Sequence, residues 1–418
     1  GWNAANPAEA VGGSTIRVTN IRVAADCKQL WFLVLGTPKA SDESQIVIED
    51  LELVGTQAHS YPVRIGFGVD VRNRSMFQLA NARFRMSCAA RNAGTTQKMI
   101  QLYNAVSVIN ASLFNLGNIS VEPPSMRTGS HLQFLYMETT AILLKDGGTM
   151  SVQGNMIDTT ADHLLGNIQL LSLGGTGTAT IQDHSRLLIT NNVLKTVTNS
   201  SASSTGNPLG VFLVTNNQLT LLNRSSFEIS ENNFTHKEVG LTLRSHAVFR
   251  FEKLPIEMLD ESRLFFESNT VSVVCEKECT STAWDFTGCS INISSISALS
   301  FRNNQVNLDA DETATAGEAT LLQMHASSVN MTDGAFITVE RNNFTSFGAN
   351  FSKGLDFGIE NQWKSLDARK STLRFAFNTV MLRYESGSEK HTMLSLPVST
   401  IDTSTIEVIG NQASATGG

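Results

Sequence analysis

Residues 225–235 read SSFEISENNFT: a serine pair, two apolar residues spaced by one (Phe227 and Ile229), then paired asparagines (Asn232 and Asn233) before another apolar residue. The phrase returns as SRLLITNNVL from 185, SALSFRNNQV from 297, AFITVERNNF from 335 and STIEVIGNQA from 404. Apolar residues alternating with polar ones make a strand with one buried face. Asparagine ends such a strand well, because it tolerates the left-handed backbone region and bonds to its own neighbouring backbone.

The apolar pair serves as an anchor that can be followed along the whole chain. The pairs are Ile16/Val18, Ile46/Ile48, Phe77/Leu79, Phe114/Leu116, Met150/Val152, Leu187/Ile189, Phe227/Ile229, Leu264/Phe266, Leu299/Phe301, Ile337/Val339, Leu373/Phe375 and Ile406/Val408. Steps between first members run from 30 to 40 residues. A spacing that steady marks a repeat architecture of twelve units. After most anchors comes a corner asparagine: Asn20, Asn81, Asn118, Asn155, Asn191 with Asn192, Asn232, Asn269, Asn303, Asn342, Asn378 and Asn411, with Asp50 in the second unit. Stacked copies of such residues can bond to one another between layers.

Further strand-like runs precede the anchors (LWFLVLG, MIQLYNAVSVIN) and follow the corners (NIRVAA, NTVSVV), so each unit holds three or four short strands. Units of that size without a helix are not βαβ units. Propeller blades pair antiparallel through hairpins, and this chain has few hairpin turn dipeptides. The fold expected is all-β, a single-domain right-handed parallel β-helix of about twelve coils. The handedness comes from the chirality rule for parallel crossovers. Coils occupy 14–411, between an N-terminal segment 1–13 with a single helical turn and a tail 412–418. At about 4.8 Å per layer the rod is roughly 55–60 Å long.

The repeated Ser-x-φ-x-φ-x-x-Asn coil, where φ is apolar, resembles the right-handed β-helices of the pectate-lyase-like superfamily, whose corners carry an asparagine ladder. SRLLITNNVLKTV, SSFEISENNFT and SALSFRNNQVNL further resemble the dispersed-gene-family surface glycoproteins of trypanosomes. That second resemblance implies a large secreted or surface-anchored glycoprotein with no assigned catalysis.

Composition narrows the function classes. Charged residues make up 17% and the formal net charge is −7, with no basic cluster that would serve nucleic acid. No apolar run approaches the roughly 18 residues of a membrane helix. Ten sequons begin at Asn73, Asn110, Asn118, Asn199, Asn223, Asn233, Asn292, Asn330, Asn343 and Asn350. All but Asn118, which serves as a corner, are expected to carry N-linked glycans. In ENNFT and RNNFT, Asn232 and Asn342 should make the turn while Asn233 and Asn343 face outward. Of five cysteines, Cys275, Cys279 and Cys289 crowd into CEKECTSTAWDFTGC. Their spacing does not suit a four-ligand zinc site and favours a local disulfide. Cys27 and Cys88 hold like positions two coils apart, about 9–10 Å, beyond the roughly 7 Å a disulfide allows.

The longer insertions (122–131, 198–208, 309–319 and 385–390) are polar loops projecting from one edge. One holds Asp309, Asp311 and Glu312, which lack the glycine and distal glutamate of an EF-hand loop. Asn-Thr-Asp, Asp-Asp and Gly-His-Gly motifs of a polygalacturonase-like hydrolase are absent, as are Gly-x-Ser-x-Gly and His-Glu-x-x-His. The expectation is therefore a protein that is not an enzyme and needs no cofactor or metal. Its leading role is an extracellular structural or adhesive surface glycoprotein. Its partners would be copies of itself stacked end to end as a filament, its own glycans, and carbohydrate or host matrix surfaces. The alternative is a β-helix protein that binds or cleaves polysaccharide.

Overall fold

The computed structural model describes residues 2–417 except 5–7, 25–26, 31–32, 61–62, 67, 89–95, 123–129, 139–140, 160–164, 175–176, 200–208, 216–217, 240–243, 276–278, 311–317, 325–326, 348–350, 357–365, 385–389 and 396–398. Among the described residues there is no helix. Each repeat is one layer of a parallel β-solenoid. The layer containing the opening stretch runs through Gln218–Leu221, Ser226–Ser230, Asn233–Val239 and Arg244–Glu252. All four strands pair in parallel with their counterparts one layer on. The first of the four belongs to a 12-stranded sheet, and the other three types join into a 35-stranded one.

The anchors lie in a single file. Ile16, Ile46 and Phe77 stand opposite one another, and the register continues without a slip through Phe227, Leu264 and Leu299 to Ile406. Every anchor residue from Ile46 to Phe375 is at most 3% exposed. Each side chain so buried stabilises the fold by about 1.5–3 kcal/mol. Like rests on like: Phe77 stacks on Phe114 at 5.2 Å, Phe251 on Phe286 at 4.7 Å and Phe266 on Phe301 at 4.9 Å.

The corner after the anchor strand divides a task that the sequence pattern had assigned to one residue. The left-handed backbone belongs to Asn20, Asp50, Asn81, Asn118, Gly154, Asn191, Glu231, Ser268, Asn303, Arg341, Phe377 and Gly410. The residue after each of these points inward. In the first four layers it is apolar (Ile21, Leu51, Ala82, Ile119), and in the rest it is asparagine: Asn155, Asn192, Asn232, Asn269, Asn304, Asn342, Asn378 and Asn411. Asn20, Asn81, Asn118, Asn191 and Asn303 are thus bend residues outside the ladder. Asn155, Asn232, Asn269, Asn342, Asn378 and Asn411 are ladder residues without the left-handed backbone. Asn232 and Asn342 therefore do not make the turn; Glu231 and Arg341 do.

The ladder ties each corner from Asn155 onward to the layers beside it. Asn269 Nδ2 donates to Ile229 O one layer back at 2.8 Å and to Asn304 Oδ1 one layer on at 3.0 Å. Its Oδ1 accepts from Asn232 N and Asn232 Nδ2, at 3.1 and 2.9 Å. The same contacts recur from Asn155 to Asn411. A residue forced into the left-handed region costs about 1–2 kcal/mol, so Glu231, Ser268, Arg341 and Phe377 rely on this bonding to hold their bends.

On the other side of the anchor a second column begins two residues upstream. It contains Ser14, Ser44, Ser75, Ser112, Ser185, Ser225, Ser262, Ser297, Ser371 and Ser404. Ser44 N donates to Ser75 Oγ at 3.1 Å, and Ser262 N to Ser297 Oγ at 3.1 Å. Gly148 interrupts this column because a Cβ there would sit 2.0 Å from Val108 O.

Both ends depart from the expected segments. Trp2–Ala4 pairs with Leu33–Leu35 and Glu9–Ala10 with Lys39–Ala40, so this part of 1–13 belongs to a layer and is not a helical turn. Gln412–Gly417 is likewise a strand, pairing with Thr379–Tyr384, because it follows Asn411 as Thr379 follows Asn378.

Asn269→Ala should leave Asn232 N without its acceptor and remove one bond each from Asn232 Nδ2, which keeps Ile189 O, and from Ile229 O. Chemical denaturation should show a loss of roughly 2–6 kcal/mol, from one unpaired buried group at about 1–3 kcal/mol and two lost bonds at about 0.5–1.5 kcal/mol each. Asn411→Ala, at the half-buried last rung, should lose clearly less.

Candidate functional site

The outward-facing residues decide what this rod can contact. Three sequons lie in the exposed two-residue turn before the serine column. Asn73 Nδ2 donates to Asp42 Oδ1 at 2.8 Å, Asn110 Nδ2 to Asn73 Oδ1 at 3.0 Å and Asn223 Nδ2 to Asp183 Oδ1 at 2.7 Å. Asn292 and Asn330 face each other on neighbouring strands of the 12-stranded sheet, with Asn330 Nδ2 donating to Asn292 Oδ1 at 2.9 Å. Asn233 is exposed and Asn343 half-buried, each directly after a ladder residue. The Asn199 side chain and Asn350 lie outside the described residues.

The three crowded cysteines divide. Cys275 is disulfide-bonded, whereas Cys289 is a free, buried thiol. Cys289 Sγ donates to Phe251 O at 3.3 Å, and burial pushes its pKa up to about 12. Cys289 packs in the core because its position falls on an inward site just after a bend, next to Phe286. The Cys279 side chain lies outside the described residues. Cys27 and Cys88 both stand opposite Gln57, one on each side, which puts them two layers apart.

Of the acidic loop, Asp311 and Glu312 lie outside the described residues. Burial holds the Asp309 carboxyl above the usual range, against the opposing hydrogen bond from Asn307 Nδ2 at 2.6 Å. Among the described residues no three His, Cys, Asp or Glu side chains gather as a metal site. Charged side chains mostly pair between layers instead. Arg83 bonds to Glu122, whose carboxyl it holds below the usual range with help from Arg85 at 2.7 Å. Arg224 and Glu261 pair in the same way at 3.0 Å.

Among the described residues, a concavity interrupts the outward face of the anchor strands. Its floor is a single layer of small residues, Ala298 and Ser300. On one side stand Arg263 and Phe265, and on the other Phe336 and Thr338. The space is about 380 Å³. Phe336 is 39% exposed and Ile296, at the mouth, 61%. Ser300 Oγ is buried beneath its neighbours without a hydrogen-bond partner. At the far end Arg302 lies between Glu267 and Glu340, 3.9 Å from the latter. The sequence reading passed over this slot, because it arises from residue size on three different layers.

No family model matches the chain, and no curated protein matches it. A search of solved structures aligns it with a mutant of AlyGC, an alginate lyase of the PL6 family, at 8% identity over 97% of both chains. The TM-score is 0.10, too low to relate the two molecules.

Cys289 should resist alkylation in the folded protein at pH 8 and react fully in denaturant, as followed by mass spectrometry. Asp309→Asn should raise the unfolding midpoint at pH 8. Because the folded-state pKa is raised, protonating Asp309 relieves the same desolvation. The advantage of the variant should therefore shrink as pH falls through the raised pKa.

Proposed function

We propose that the protein is a structural or adhesive rod of the cell exterior, glycosylated on its outward asparagines and able to stack end to end. The observation that carries this reading is an outer surface given over to cross-layer ion pairs, such as Arg83 with Glu122 and Arg224 with Glu261, and to exposed sequon asparagines. Stacking of one copy on the next would be head-to-tail contact, which propagates as an open filament.

The surface asparagines support the same reading. Asn73, Asn110, Asn223, Asn233 and Asn330 are exposed on faces that point away from the core.

Sedimentation at rising concentration should show species longer than the single rod. Monomers throughout would remove the filament. Glycopeptide mass spectrometry of protein made in a secreting eukaryotic cell should find sugar at several of the exposed sequons. Finding none would remove the glycoprotein. Release of unsaturated or reducing ends from polysaccharides by the same preparation would replace the structural role with the enzymatic alternative.

A further inference from the structure

The slot over Ala298 and Ser300 has the thickness of one missing layer. Its walls belong to strands two layers apart, roughly 9.6 Å at about 4.8 Å per layer. Within this chain aromatic rings stack at 4.7 to 6.0 Å, one ring to a layer. A single flat ring lowered onto Ala298 therefore continues the stacking spacing of the rod on its outer face. The ring would meet Phe336 on one side and Arg263 on the other, since both stand directly opposite Ala298. Arg263 makes no ion pair among the described residues, and Phe336 no ring contact. A guanidinium prefers the face of an aromatic ring, and two aromatic rings prefer offset stacking. Two residues on, the Ser300 hydroxyl is buried without a partner, directly opposite Phe265 on the neighbouring strand. A ring with a polar edge supplies that partner once Phe265 turns aside. Ile296, exposed at the mouth, offers apolar contact to whatever flanks the ring.

We propose that this slot is a docking site for a tyrosine or tryptophan side chain presented by a partner polypeptide. The ring is clamped between Arg263 and Phe336, and its hydroxyl or N–H is directed at Ser300. The site lies on a lateral face and does not depend on end-to-end stacking.

The test uses the full chain with N-acetyltyrosinamide and N-acetyltryptophanamide as probes, read by saturation-transfer NMR. Both should receive saturation from the protein. Ala298→Phe, which fills the slot with a ring of its own on a solvent-facing position, should remove the effect. Arg263→Gln and Phe336→Ala should each weaken binding about fivefold or more, as a cation–π or stacking contact of this size implies. Far-ultraviolet circular dichroism checks that each variant keeps its fold, and should Ala298→Phe fail to fold, the other two variants decide. No transfer to either probe, or transfer unchanged in the folded variants, overturns the proposal. So does stronger slot-dependent transfer to glucuronate or glucose, which would make the ligand a sugar.

Discussion

Stacking in register leaves each corner with a problem that the strands do not have. At the corner the backbone turns out of the ladder of sheet hydrogen bonds, yet its N–H and C=O groups stay buried between layers, where an unpaired group costs about 1–3 kcal/mol. The ladder asparagine solves this with one side chain. Asn232, for instance, joins Ile189 O behind it to Asn269 Oδ1 ahead at 2.8 and 2.9 Å, while its own Oδ1 takes two donors from Asn192. An amide suits the position because it has two donors and an acceptor in one plane. A carboxylate has no donor, and a hydroxyl cannot reach both layers.

That solution is not uniform along the rod. Ile21, Leu51, Ala82 and Ile119 occupy the ladder position in the first four layers, and there the bend residue itself is Asn or Asp, which tolerates the left-handed region. Where the ladder begins, at Asn155, the bend position is released to Gly, Glu, Ser, Arg and even Phe377. Ile119 N marks the junction, donating to Asn155 Oδ1 at 3.0 Å. Either the bend residue is conformationally suited or the next residue secures the corner by hydrogen bonds. In layers such as Asn191–Asn192 and Asn303–Asn304 both hold.

The outer surface is freer, because side chains there meet only their counterparts one layer away. Most of it is closed by cross-layer pairs such as Arg83 with Glu122 and Arg224 with Glu261. Exposed pairs of this kind add little stability, but they leave few charges unmatched. Arg263 and Phe336 stand out because Ala298, between them, is too small to fill its layer.

The sequence alone was enough for the fold class, the parallel stacking and the twelve apolar pairs, because an in-register solenoid demands the same residue class at the same position in every layer. The motif Ser-x-φ-x-φ-x-x-Asn even counts correctly to the ladder position, as Ser185 to Asn192 shows. Single-sequence reading still merged the bend and the ladder, since both favour Asn and they are adjacent; only backbone angles separate them. It also left open which of Cys275, Cys279 and Cys289 stays free, because proximity along the chain says nothing about which face of the strand a thiol occupies. The slot was invisible for a related reason. Its four walls and floor come from residues 263 to 338 and converge only when layers are laid on one another. Period and residue class are written along the chain, whereas contact between layers depends on side-chain size and direction across it, and the tertiary structure alone decides that.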